Sequence, residues 1–327
     1  MALPPILRNL ALPAVGAPMF IVSNPELVIA QCTAGIVGGF PALNARPQEE
    51  LEVWLKTITE ALDKHNQTNP ERPAAPYAVN QIVHKSNVRL MHDLEVCVKY
   101  EVPILITSLG AREEVNEAAH SYGGITLHDI IHNRFARKAI DKGADGLIAV
   151  AAGAGGHAGS ISPIALVQEI RTWFDGPLLL SGAIATGDAI LAAEAMGADL
   201  AYIGSAFIAT RESRAPEAYK RMILESGAED IVYTRYFTGV LGNYLKASVA
   251  AAGLDPEDLP EEAVQMNFES GSSKPKAWKD IWSAGQGVGA VKEILGAAER
   301  VARLKREYDA ARARLNLSPA SVETAAQ

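Results

Sequence analysis

One histidine in this chain stands among residues with almost no side chains. In Gly153-Ala154-Gly155-Gly156-His157-Ala158-Gly159, four glycines and two alanines surround the imidazole of His157. So little bulk lets a flat ring or a phosphate come within van der Waals distance of the backbone. Imidazole is also the side chain best suited to holding and releasing a proton near neutral pH. The combination reads as a cofactor pocket with a base in it. Taken alone, the histidine has a plainer reading as a structural residue; the loop around it favours the chemical one.

Two further glycine turns follow apolar runs downstream, at Ser181-Gly182-Ala183 and Gly204-Ser205. In an alternating strand–helix chain, turns of this kind leave backbone N–H groups pointing out of the strand ends. They can hold a phosphate without many Lys or Arg. Gly182, Ala183, Gly204 and Ser205 are the expected donors, the Ser205 hydroxyl adding one more. Tight connections of any αβ protein look similar singly; two in successive units strengthen the phosphate reading.

The elements that must position these residues are legible as short apolar runs. Strands are expected at Ala14–Phe20, Gly35–Phe40, Tyr77–Val83, Val102–Leu109, Gly123–Asp129, Gly146–Ala151, Pro177–Gly182 and Leu200–Ser205. They are nearly continuous rather than alternating, as in strands covered on both faces. Helices are expected between them at Pro25–Ala34, Gln48–His65, Arg112–Tyr122, His132–Lys142, Ser162–Phe174 and Gly187–Met196. Asn24 and Pro25 form a start signal, and Lys142-Gly143 and Met196-Gly197 form stops.

The fold class is therefore α/β, a (β/α)8 TIM barrel spanning 1–211, with a doubly wound sheet as the rival. Past the eighth strand the alternation ends. Residues 212–280 read as a smaller, mainly helical lid (Ala215–Ser226, Tyr244–Ala252, Pro260–Phe268) closing in a Gly/Ser/Lys stretch at 270–276. Residues 281–327 read as a return segment and a helix, Val288–Leu315, packing on the barrel. Its apolar side is expected to be Val291, Leu295, Ala298, Val301, Leu304 and Tyr308, with a tail at Ser318–Gln327.

Composition narrows the function classes. A net charge of −8 gives no support to nucleic-acid binding. Cys32 and Cys97 are the two cysteines, and they suggest inert thiols in a reducing, cytoplasmic compartment rather than a disulfide framework. Residues 146–168 lack Asp, Glu, Lys and Arg, yet their Gly, Ser, His157 and Pro163 read as strand–loop–helix and not as a membrane span. The proline-bearing N-terminus is a poor secretory signal. His128 and His132 are four apart, but a strand end and a helix cap do not make a metal pair, and no metal is expected. His65, His84, His92 and His120 read as surface or loop residues. There is no GxSxG elbow and no GxGxxG after the first strand.

Several of these pieces, in this order and at these strand ends, resemble the nitronate monooxygenase (2-nitropropane dioxygenase) family of FMN-dependent barrels. They are Ala17-Pro18-Met19, Asn80, Ala154-Gly155-Gly156-His157-Ala158-Gly159, Ser181-Gly182-Ala183, Gly204-Ser205-Ala206-Phe207 and Ala284-Gly285-Gln286-Gly287. The resemblance implies FMN as cofactor, with Pro18, Met19 and Phe20 lining the flavin ring and Asn80 and Gln81 near its edge. Gly155 and Gly156 would permit close approach, while Ser181, Gly182, Ala183, Gly204 and Ser205 hold the phosphate. Gly285 and Gln286 would close over the cofactor, and His157 takes the position of the active-site base. Two positions depart from the family pattern. Gly153 stands where many relatives have an acidic residue, and Asp129 where relatives often have lysine.

The leading functional expectation is oxidation of alkyl nitronates, and of nitroalkanes, by O2 to a carbonyl compound and nitrite. The alternative on the same cofactor site is an NAD(P)H-dependent quinone or enoyl reductase; no strong basic cluster marks a second diphosphate site in 212–280. A non-redox barrel such as an aldolase lacks a strand-end lysine ready for a Schiff base. The expected partners are a small-molecule substrate, nitronate or quinone, and O2, with a second copy of the chain in a homodimer.

Overall fold

The computed structural model describes residues 3–260 and 280–315. The tail at Ser318–Gln327, the stretch at 270–276 and all but the first residue of the helix expected at Pro260–Phe268 lie outside the described residues.

Eight parallel strands form one sheet: β1 (Ala14–Gly16), β2 (Gly38–Pro41), β3 (Tyr77–Ile82), β4 (Ile104–Ser108), β5 (Ile125–Ile130), β6 (Gly146–Val150), β8 (Leu178–Ser181) and β9 (Leu200–Ile203). A two-residue strand, β7 (Gly156–His157), stands outside it in the loop after β6. The sheet runs β1-β9-β8-β6-β5-β4-β3-β2, and its two edges meet. Val15 bridges Val37 in parallel, and the Gly16 N–H donates to the Val37 carbonyl at 2.7 Å. The rival doubly wound sheet is thereby excluded; this is a (β/α)8 barrel.

The apolar runs are continuous because each strand is covered twice. Val15, Val37, Ala78, Ile106, Leu127 and Ile148 point into the barrel and pack on one another. Their strand neighbours Val79, Leu105 and Ala149 pack outward under the helices. The helical ring is α1 (Pro25–Thr33), α2 (Glu50–Thr68), α3 (Leu90–Lys99), α4 (Glu113–His120), α5 (Asn133–Asp141), α6 (Pro163–Arg171) and α7 (Gly187–Met196). Asn24 caps α1 through the Leu27 N–H at 2.9 Å, and Gly197 ends α7 at φ +109°. His132 caps α5, its imidazole accepting from the Phe135 N–H. Helix α3 was not among the expected elements.

The eighth place in the ring is filled from far along the chain. After β9 comes a single turn, α8 (Ser205–Ile208), and the chain then leaves the barrel. It passes through α9 (Glu217–Glu225), β10 (Ile231–Thr234), β11 (Gly242–Leu245) and α10 (Lys246–Ala251), and returns as α11 (Ala297–Arg314) against α7 and α1. The fit is close. A Cβ on Gly187 would lie 2.0 Å from the Tyr308 nitrogen, and the Gly187 N–H donates to Glu307 Oε2 at 3.0 Å. The excursion is thus an insertion into the last strand–helix unit, pinched at its base by a parallel bridge between Thr210 and Leu295. Because strand-to-helix connections lie at the C-terminal mouth of a barrel, an insertion there has to sit over that mouth.

Within the insertion the structure adds strands to the mainly helical expectation. β10, β11 and β7 form a three-stranded antiparallel sheet, so Tyr244 lies in a strand and the helix begins at Lys246. The C-terminal helix also starts later than expected. Residues 286–290 form a 3-10 turn, and Glu299 accepts from the Gly296 N–H at 2.9 Å to open α11. Its buried face carries Ala297, Arg300, Val301, Leu304, Tyr308 and Ala311, while Ala298 is exposed.

Candidate active site

A cavity of about 790 Å3 occupies the C-terminal mouth of the barrel, a volume that accommodates a cofactor-sized ligand. The structure brings nearly all the sequence-predicted residues into its wall. Pro18, Met19 and Phe20 enter from the loop after β1, Asn80 from β3, and Gly155, Gly156 and His157 from the loop after β6. Ser181, Gly182 and Ala183 follow β8, Gly204 and Ser205 follow β9, and Gly285 returns from the insertion.

Two residues are not brought in. Gln81 is fully buried but alternates to the outside of β3, where its Nε2 lies 3.3 Å from Cys97 Sγ. One residue's difference along a strand reverses the side chain, so Asn80 faces the mouth and Gln81 faces α3. Gln286 has an exposed side chain outside the cavity wall, and its contribution is a backbone N–H donating to the Gly153 carbonyl at 2.9 Å.

The glycines have a packing reason. A Cβ on Gly155 would meet the Gly285 nitrogen at 2.8 Å, one on Gly285 the Gly153 oxygen at 2.6 Å, and one on Gly287 the Ala183 oxygen at 2.5 Å. The returning segment lies backbone-against-backbone on the loop after β6. Ser205 Oγ locks the seam by accepting from the Gly285 N–H at 2.8 Å. The Ala183 N–H donates to the Gly153 carbonyl at 3.2 Å, so Ala183 shapes the turn, at φ +55°, rather than offering its amide. Gly204 is different: a Cβ there would find nothing nearer than Ala17 Cβ at 3.7 Å, which leaves open room beside the loop.

His157 is presented by the small sheet. It pairs with Gly242 of β11, and its Nε2 lies 2.9 Å from Thr238 Oγ1. The Thr238 hydroxyl also lies 3.1 Å from the Val240 carbonyl, a contact that fixes it beside the imidazole. Burial holds the His157 pKa down to about 4, and the ring is neutral at physiological pH.

Several residues that had been given no role at the expected site also line the cavity. Ser108, His128 and Asp129 stand at the ends of β4 and β5, Tyr202 in β9, Lys138 on α5, and Thr238 in the insertion. His84, read as a loop residue, is in a loop and also lines the cavity, its Nδ1 2.8 Å from Ser86 Oγ. Asp129 had a signal, its departure from the family pattern. Thr238 had none, because its proximity to His157 is created by pairing across 81 residues of chain. Cys32 and Cys97 are buried away from the site, and burial pushes both thiols up to about 12, the inert state expected.

The fold and site define a (β/α)8 barrel enzyme whose mouth is covered by an insertion in the last strand–helix unit. The family model described as "Nitronate monooxygenase" matches residues 7–307, and the chain belongs to that family of flavin-dependent oxidoreductases. A nitronate monooxygenase of Paraburkholderia phytofirmans is 28% identical, over 90% of this chain and 92% of that protein. The structure of a nitroalkane oxidase from Streptomyces ansochromogenes superimposes with a TM-score of 0.72 at 25% identity, over 93% of this chain and 97% of that one. FabK from Thermotoga maritima has the same fold, with a TM-score of 0.73 at 21% identity over 95% and 96% of the two chains. Among the described residues no helix is long and apolar enough to cross a membrane.

Proposed function

We propose that the cavity binds FMN and that the enzyme oxidises alkyl nitronates, and nitroalkanes after proton removal, with O2 to give a carbonyl compound and nitrite. The residues fit a flavin. The mouth has the volume, Gly204 leaves room beside the Ser181–Ala183 and Gly204–Ser205 turns for a phosphate, and Pro18, Met19 and Phe20 offer apolar surface to a ring. Bound flavin would supply the electron acceptor between substrate and O2.

The chain's own contribution is positional. The insertion and the 285–287 seam wall off the mouth, and the apolar residues from the β1 loop favour a planar ring over water. His157 is the observation that carries the reading. A neutral imidazole, fixed by Thr238 and standing in the same cavity as the phosphate turns, has a lone pair with which to take the α-proton of a neutral nitroalkane. With a preformed nitronate that proton is already gone, and the ring has a hydrogen-bonding role instead.

The purified full chain should be yellow, with a flavin absorption spectrum, and should consume O2 in an electrode assay when small nitronates are added. A colourless protein that gains no flavin on incubation overturns the cofactor assignment. Rapid anaerobic bleaching by NADH, with no O2 uptake on nitronates, overturns the substrate assignment in favour of a reductase.

A further inference from the structure

The floor of the cavity carries a carboxyl that the reaction above does not use. Where β3, β4 and β5 reach the mouth, their inward side chains change from apolar to polar: Ala78 gives way to Asn80, Ile106 to Ser108, and Leu127 to Asp129. These three are joined in one direction. Asn80 Nδ2 donates to Ser108 Oγ at 2.7 Å and to the Ile106 carbonyl at 3.1 Å. Ser108 has one hydroxyl hydrogen, and it donates that to Asp129 Oδ2 at 2.5 Å.

Asp129 Oδ1 is left buried with no hydrogen-bond partner. No ion pair reaches Asp129 among the described residues. A buried oxygen of this kind costs free energy unless it carries a proton it can donate, or meets a donor on a ligand. Asp129 lines the cavity, and Asn80 and Ser108 hold the carboxyl by its other oxygen, which leaves Oδ1 as the buried atom without a protein donor or acceptor.

We propose that Asp129, positioned by Ser108 and Asn80, is a proton-holding contact for the bound flavin ring: neutral, it donates from Oδ1 to a ring acceptor, and ionised, it loses that donor and weakens binding. This rests on the flavin reading above. Burial pushes the Asp129 pKa up to about 7, with the Ser108 hydrogen bond pulling it part of the way back. The switch therefore falls in the physiological range. A ligand that prefers the protonated carboxyl binds best below about pH 7 and loses affinity as pH rises through it.

The groups around Asp129 are few. Ser108 faces it from β4 and Asn80 stands beyond Ser108 on β3. Tyr202 faces it from β9, its hydroxyl pushed up by burial and then by Asp129 itself. Lys138 on α5 and the half-buried His157 line the same cavity. His128, the preceding residue, is on the alternate side of β5 beside Thr107, and burial with Lys138 nearby keeps it neutral, at about 4.

The test is flavin affinity against pH, read by fluorescence quenching on the full chain stripped of flavin. Riboflavin is titrated beside FMN, since it has no phosphate to ionise. In the native protein, affinity for both should fall roughly tenfold between pH 6 and 8.5, about what one donor to a charged or polar ring atom contributes. Asp129→Asn, neutral throughout, should be flat. Ser108→Ala removes the bond that favours the ionised form, so its midpoint should move to higher pH, a displacement that a purely structural role does not produce. A pH-independent affinity in the native protein, or an unshifted midpoint in Ser108→Ala, overturns the inference and leaves the flavin reading standing. Failure of both flavins to bind at every pH instead removes the flavin reading, and this inference with it.

Discussion

Gly155 and Gly285 meet backbone to backbone across the wall of the cavity, with no room for a methyl group on either. A Cβ would lie 2.8 Å from the Gly285 nitrogen in one case and 2.6 Å from the Gly153 oxygen in the other. Both contacts are to backbone, which cannot swing aside. Gly285→Ala should therefore destabilise the fold by about 1–3 kcal/mol, the usual range for overpacking. It should also lower flavin content, because the seam forms part of the mouth. Thermal unfolding and the flavin-to-protein absorbance ratio measure the two effects; an unchanged ratio would show that the seam does not shape the cofactor site.

His157→Asn keeps a polar side chain beside Thr238 and removes the base. With neutral nitroalkanes, turnover should drop by roughly 10²–10⁴-fold. Preformed nitronates need no proton removed, so their rate should fall far less. The comparison of the two substrates in one variant, by O2 uptake, is the informative measurement: equal losses would reduce His157 to a binding residue.

The acid side of the pH profile follows from burial. His157 holds its pKa at about 4, so nitroalkane oxidation should stay level from neutral pH down to about 5 and fall as pH drops through 4. Stability should begin to fall at higher pH than activity does. His128 and His157 titrate at about 4 in the fold against 6.5 in an ordinary imidazole. Between those values the unfolded chain binds more protons, and stability decreases as pH falls. Melting temperatures between pH 7 and 4 report it.

Asp129 works in the opposite sense. Its folded pKa of about 7 lies above the ordinary 3.8, so its favourable contribution is complete below 3.8 and is lost as pH rises through 7. Asp129→Asn has no such loss. The difference in melting temperature between variant and native protein should shift in favour of the variant from pH 4 to pH 8. A constant difference would mean that this carboxyl ionises as freely in the fold as in water.

Ser205 Oγ accepts from the Gly285 N–H and stands in the second of the two turns proposed to hold the phosphate. Ser205→Ala leaves that amide without its acceptor and removes one donor for the phosphate. A loss of about 0.5–1.5 kcal/mol in FMN binding is expected, two- to tenfold in Kd. Riboflavin affinity should change less, since it has no phosphate to lose a partner.

The barrel was legible because each strand is an apolar run covered on both faces, and Asn24-Pro25 and Met196-Gly197 marked helix ends that the structure reproduces. The small sheet was not. Ile231–Thr234 and Gly242–Leu245 are four residues each, too short for a period to show, and β11 gains its partner Gly156 from the far side of the chain. The glycine loops were located correctly by composition. Their cause was half-visible, since a sequence cannot say whether a missing side chain makes way for a ligand or for another stretch of backbone. Gln81 shows the finest limit: strand parity decides which of two neighbouring amides faces the mouth, and a run without alternation hides that parity.

Placing the eighth helix after a long insertion has a consequence for biosynthesis. Residues 285–287 and α11 leave the ribosome after the eight strands and the first seven helices. Until they arrive, the flank between α1 and α7 is bare and the loop after β6 lacks its seam. The nascent chain can collapse its barrel early, but it gains a finished cofactor cradle late, so flavin capture is a test that a ribosome-bound fragment ending before Gly285 cannot pass.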